Sequence, residues 1–139
     1  MIFDNKSWGH YAPTEIQFGI GVRSNLIELL NNSKTLIVTS ERGRKQFTDD
    51  PVLGILTEQD SFLWIDDISS NPGQGYLQHW INKLNSEYFD SIVGFGGGSA
   101  IDAAKIIAAA FSQSKNKRNL SLMLSNPQES FGKKIVPFY

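Results

Sequence analysis

The chain has 139 residues, with 13 lysines and arginines against 14 aspartates and glutamates, and no cysteine. A formal net charge of −1 leaves no basic footprint for nucleic acid or an anionic membrane surface, and the lack of cysteine excludes disulfides and thiolate metal sites. The length suits one domain, and 40% hydrophobic with 19% charged residues suits a compact α/β chain.

The first residues lack the apolar core of a secretory signal. No apolar run reaches membrane-spanning length, since Asp102 and Lys105 interrupt the longest. A cytoplasmic protein with no nucleic-acid or membrane partner is the expectation. Residues 1–15 read as an irregular arm. Glu15 to Phe18 alternates polar and apolar, the period of a half-buried strand. Gly19 and Gly21 then turn the chain into a short amphipathic helix over Ser24 to Leu30, closed by Asn31-Asn32-Ser33.

Thr35 to Thr39 is a continuous β-branched and apolar run, as expected of a strand buried on both faces. The cluster Arg42 to Lys45 reads as a solvated loop face, as does Lys115 to Arg118. Asp49-Asp50-Pro51 carries the marks of a helix start, with Val52, Leu53, Ile55 and Leu56 as its apolar face. Phe62 to Ile65 is a second buried-strand candidate, and the Asp66-Asp67 pair after it reads as solvated rather than catalytic. Asn71-Pro72-Gly73 is turn chemistry. Leu77, Trp80, Ile81 and Leu84 follow at i, i+3, i+4, i+7, the stripe of a core-facing helix within Gln74 to Ser86. His10 and His79 stand too far apart, without cysteines or a His-x-x-x-His pair, to suggest a metal site.

The densest signal is Ser91 to Lys105. Ile92 and Val93 lead into Gly94, Gly96, Gly97 and Gly98; Ser99 follows, and Ala100 to Phe111 is a strong helix former. Strand, glycine bend and helix start make an anion cradle, because glycine lets backbone approach a ligand and a new helix presents unpaired N–H groups. Ser99 is the expected N-cap, with Asp102 as its capping-box partner. Lys105 fits equally well as an i,i+3 partner of Asp102. The spacing is not the usual Gly-x-Gly-x-x-Gly of dinucleotide folds, since Ser99 stands where the last glycine falls.

Gly96-Gly97-Gly98-Ser99-x-x-Asp102-x-Ala104-Lys105 resembles the GGGSxxDxAK signature of the iron-containing alcohol dehydrogenases, matching every fixed position. The resemblance implies that Gly96, Gly97, Gly98 and Ser99 hold the pyrophosphate of NAD or NADP and that Asp102 faces the cofactor cleft. It places Ser40 where many members carry aspartate. Ser40 brings no charge against a 2′-phosphate and a nearby arginine could pair one, whereas Glu41 could accept from a ribose hydroxyl; the balance leans slightly to NADP.

The expected fold is α/β: a Rossmann-like, mostly parallel sheet with helices on both faces, like the N-terminal domain of the dehydroquinate synthase and iron alcohol dehydrogenase fold. Ligands of such sheets bind beyond the carboxyl ends of the strands, where Ser40 and the glycine bend should meet. The resemblance spans residues 1–139 as one dinucleotide-binding domain. Family members continue into a threonine- and glycine-rich segment and a helical domain whose aspartate and histidines bind iron or zinc; this chain supplies no such ligands. The chain alone is therefore expected to be inactive and to bind dinucleotide weakly. Its uncovered apolar face is expected to let two copies pair as a homodimer. Two alternatives are a relative of the glycerol dehydrogenases or dehydroquinate synthases and a non-enzymatic, flavodoxin-like anion-binding module.

Overall fold

Three short strands, β1 (Thr35–Val38), β2 (Phe62–Ile65) and β3 (Ser91–Gly94), form a parallel sheet in the order β2-β1-β3. They belong to a computed structural model that describes residues 14–126 and Tyr139. Val38, the last residue of β1, lies opposite Ile65 on one side and Gly94 on the other. As the central strand, β1 is buried on both faces, which is why its sequence is apolar or β-branched throughout.

Among the described residues, five α-helices cover the sheet: α1 (Asn25–Leu30), α2 (Glu41–Asp49), α3 (Gln74–Lys83), α4 (Gly98–Phe111) and α5 (Leu120–Ser125). The alternation of strand side chains divides the core. Leu36, Val38, Ile65 and Ile92 pack with Leu77 and Ile81 of α3, Ile107 and Phe111 of α4, and Leu120 and Met123 of α5. Ile37, Phe62 and Val93 pack on the other face with Leu30, Phe47, Leu53 and Leu56. Each such aliphatic side chain contributes about 1.5–3 kcal/mol by leaving water. In α4 the small Ala100, Ala103, Ala104 and Ala108 are all buried, so its backbone sits close on the strands.

At the outer edge of β3, the Tyr139 N–H donates to the Ile92 carbonyl at 2.9 Å and the Gly94 N–H donates to the Tyr139 carbonyl at 2.7 Å. Tyr139 thus takes a fourth parallel strand position; the rest of the strand expected at Ile135 to Tyr139 lies outside the described residues, as do Pro13 and His10.

Several local expectations are corrected. Glu15 to Phe18 is not a sheet strand, because it pairs with none of the described strands and its side chains are exposed. The helix expected over Ser24 to Leu30 begins as a 3₁₀ turn at Val22–Ser24. The basic run Arg42 to Lys45 lies on α2, and Lys115–Lys117 form a 3₁₀ turn. Asp49 ends α2; the segment after Pro51 winds as a 3₁₀ helix, Leu53–Glu58, with Leu53 and Leu56 buried and Ile55 left exposed. Asp50 starts it by accepting the N–H groups of Val52 and Leu53 at 2.8 and 3.0 Å. No helix among the described residues is long and apolar enough to cross a membrane.

Candidate functional site

The chain passes from β1 through α2 to β2 on one side, and from β2 through α3 to β3 on the other. The two directions diverge between β1 and β3, and a crevice at the carboxyl ends of such strands is where parallel sheets bind ligands. Thr39 ties those ends together. Its N–H donates to the Ile65 carbonyl at 2.8 Å, its hydroxyl donates to the Phe95 carbonyl at 2.7 Å, and its carbonyl accepts the Ile68 N–H at 3.1 Å. Phe95 also donates its N–H to the Val38 carbonyl at 3.0 Å. Sequence reasoning took Thr39 only as a strand residue; its hydroxyl in a buried run was the available signal.

From Phe95 the chain bends through Gly96, whose φ of +135° lies in the region that L side chains rarely adopt. Gly97 is the N-cap of α4, with no side-chain cap bond. The expectation that Ser99 caps the helix is therefore corrected: the helix starts at Gly98, one residue before the serine. Asp102 does not reach back to close a capping box; it is exposed and pairs with Lys105 at 3.3 Å. The Ser99 Oγ instead accepts the N–H of Asn71 at 3.1 Å, pinning the turn between β2 and α3 against the α4 start. Asn71 holds φ of +50°, and its part in the site was not foreseen beyond turn formation.

The first turn of α4 keeps its donors open. Ala100 and Ile101 donate to the Gly97 carbonyl at 3.1 and 3.2 Å, while the N–H groups of Gly98 and Ser99 have no acceptor among the described residues. A Cβ built on Gly97 or Gly98 would meet no atom within 4 Å. Packing thus demands a side chain's absence at neither position, and the space above them is open. A cleft of about 530 Å³ runs from this point, lined by Asn71, Gly98, Ser99, Asp102, Ala103 and Ile106.

Across the sheet end, Ser40 is the N-cap of α2, and its Oγ accepts the Gly43 N–H at 3.1 Å. Glu41 and Arg42 are exposed on the first turn, without an ion-pair partner among the described residues. Arg44 is committed elsewhere: it pairs with Asp66 and lies over the Trp64 ring at 4.9 Å. Asp67 accepts from the Trp80 Nε1 at 3.1 Å. Both carboxylates of the Asp66-Asp67 pair thus hold neighbouring side chains. Among the described residues no group of three or more His, Asp or Glu could hold a metal ion.

A parallel α/β sheet with an open glycine bend between its diverging strands is the architecture of the iron alcohol dehydrogenase N-terminal domain. The chain belongs to the iron-containing alcohol dehydrogenase family, whose profile matches residues 13–138. It is 30% identical over 108 residues to the NADPH-dependent aldehyde reductase YqhD of Escherichia coli (strain K12), covering 76% of this chain and 28% of that protein. It is 34% identical over 102 residues to alcohol dehydrogenase 4 of Schizosaccharomyces pombe, covering 70% of this chain and 24% of the relative. Its fold matches the crystal structure of an iron-containing alcohol dehydrogenase from Thermotoga maritima, with a TM-score of 0.72 and 26% identity, over 95% of this chain and 36% of that one. The chain therefore spans about a quarter to a third of the length of the relatives it resembles.

Proposed function

We propose that residues 1–139 are the dinucleotide-binding domain of an NAD(P)-dependent alcohol or aldehyde oxidoreductase, and that the bend Gly96-Gly97-Gly98-Ser99 holds the cofactor diphosphate. The observation that carries this is the openness at Gly97 and Gly98, where neither packing nor backbone conformation calls for glycine. A ligand that must approach the backbone accounts for both. The uncapped N–H groups of Gly98 and Ser99 point the same way, since a helix start with free donors favours a bound anion. Ser99 can donate its hydroxyl hydrogen to a phosphate oxygen while its oxygen keeps the Asn71 N–H.

The nicotinamide, when bound, supplies the hydride acceptor or donor. This chain's part is to orient it. Ser40 and Glu41 flank the adenosine side of the crevice. The neutral Ser40, together with an Arg42 that has no ion-pair partner among the described residues, tilts the preference to NADP, in line with the NADPH named for YqhD. Iron or zinc, with the remainder of the catalytic cleft, belongs to a helical domain that these residues do not form. The isolated chain is accordingly inactive in alcohol-dependent NAD(P) reduction. The setting we infer is the cytoplasm.

Isothermal titration of the chain with NADPH, NADH and ADP tests the reading. Weak but saturable binding of all three is expected, tightest for NADPH. No heat with any of them, or undiminished binding by Gly98→Val, overturns it.

A further inference from the structure

Thr39 is fully buried just past β1, and its hydroxyl donates to the Phe95 carbonyl at 2.7 Å, immediately ahead of the glycine bend. The room for that bond comes from α2: a Cβ on Gly43 would stand 2.0 Å from the Thr39 hydroxyl oxygen and 3.4 Å from the Phe95 oxygen. The next residue, Gly96, is exposed, holds φ of +135°, and its N–H has no acceptor among the described residues. The carbonyl and N–H of one trans peptide point in opposite directions. With the Phe95 carbonyl held toward Thr39, the Gly96 N–H therefore points away from it.

Among the described residues the Thr39 hydroxyl is the one hydrogen-bond partner of the Phe95–Gly96 peptide. Turning that plane over changes ψ of Phe95 and φ of Gly96 and leaves the chain path nearly in place. Other residues resist such a flip because one of the two φ values is barred to them, but glycine accepts both signs. We infer that Thr39 is a positioning residue for the bend: its hydroxyl selects the orientation in which the Gly96 N–H, and not the Phe95 carbonyl, faces a bound diphosphate. The inference rests on the diphosphate site proposed above. A flipped plane would aim the negative end of a peptide dipole at the anion and remove one donor from it.

Thr39→Val keeps the size and β-branching but loses the donor, whereas Thr39→Ser keeps the donor. In calorimetric titration with ADP, the affinity of Thr39→Val should fall about tenfold, the scale of one lost hydrogen bond. Thr39→Ser should stay within about twofold of wild type. Thr35→Val separates orientation from stability: Thr35 stands at the other end of β1, fully buried, with its hydroxyl 2.9 Å from the Ser91 hydroxyl. It should lower the thermal midpoint much as Thr39→Val does and leave ADP affinity at the wild-type value. Thr39→Ala, which puts no methyl group against the Phe95 carbonyl, takes the place of Thr39→Val should the latter not fold. Wild-type ADP affinity in Thr39→Val, a Thr39→Ser as weak as Thr39→Val, an equal loss in Thr35→Val, or failure of both Thr39→Val and Thr39→Ala to fold would overturn this inference alone. No ADP binding by the wild-type chain would overturn it together with the diphosphate site.

Discussion

Helices α2 and α4 both begin at the carboxyl end of the sheet, on neighbouring strands, and their starts are built for opposite purposes. At α2 everything is closed: Ser40 caps the Gly43 N–H at 3.1 Å, and a Cβ on Gly43 would land 2.0 Å from the Thr39 hydroxyl oxygen. At α4 everything is open: Gly97 caps nothing, and a Cβ on Gly97 or Gly98 would touch nothing. Glycine near a helix start can thus mean tight packing or vacant space, and only the surroundings tell which. The closed start supports the fold; the open one leaves donors for a ligand.

The sharpest way to break the contrast is Gly43→Ala. The methyl group would displace Thr39 and with it the hydroxyl bond to Phe95, so urea denaturation should show a loss of about 3 kcal/mol. Next comes Gly96→Ala, which forces a side chain into a φ of +135°; strain of roughly 1–3 kcal/mol should appear in the same measurement. Gly98→Val should do the reverse of Gly43→Ala. Its stability should stay within about 0.5 kcal/mol of wild type. NADPH affinity in calorimetry should fall at least about tenfold, near 1.4 kcal/mol. Ser40→Ala should cost about 1 kcal/mol of stability through the lost cap and leave diphosphate binding in place.

The smallest effect concerns pH and a third element start. At the 3₁₀ helix, backbone N–H groups of Leu53 and Val52, with Arg23 beside them, hold the Asp50 carboxyl below its ordinary range. A carboxyl whose pKa is depressed on folding stabilises the fold above its unfolded pKa and loses that contribution as pH falls. The thermal midpoint should therefore drop as pH is lowered through about 4 and below. Asp50→Asn, which can still accept the N–H groups but carries no charge, should flatten part of that slope.

Strands were the most legible feature. β2 falls on Phe62 to Ile65 as its apolar run indicates, and β1 covers the β-branched run short of Thr39. The α3 stripe also holds, with Leu77 and Ile81 buried and Trp80 and Leu84 half-buried. The glycine bend was visible as a bend. Its capping was not, because Ser-x-x-Asp reads as a capping box until Asn71 arrives from another connection and takes the serine oxygen. Asp49 was misplaced, since it ends α2 while Asp50 alone starts the next helix; an acidic pair before proline marks a start but does not say whether α-helix or 3₁₀ geometry follows. Glu15 to Phe18 shows the limit of periodicity, which marks a residue pattern fit for pairing without supplying the strand that pairs with it.

What the amino-acid order determined by itself is the set of local elements and the presence of a glycine-rich bend, since both follow from side-chain period and backbone freedom over a few residues. The tertiary structure alone decided which glycines are filled around and which stand open, and which hydroxyls are spent on holding strand ends together. Those outcomes rest on contacts such as Thr39 with Phe95 and Asn71 with Ser99, between residues 56 and 28 positions apart in the chain. Short-range pattern carries no information about such partners; only the packed sheet brings them within reach.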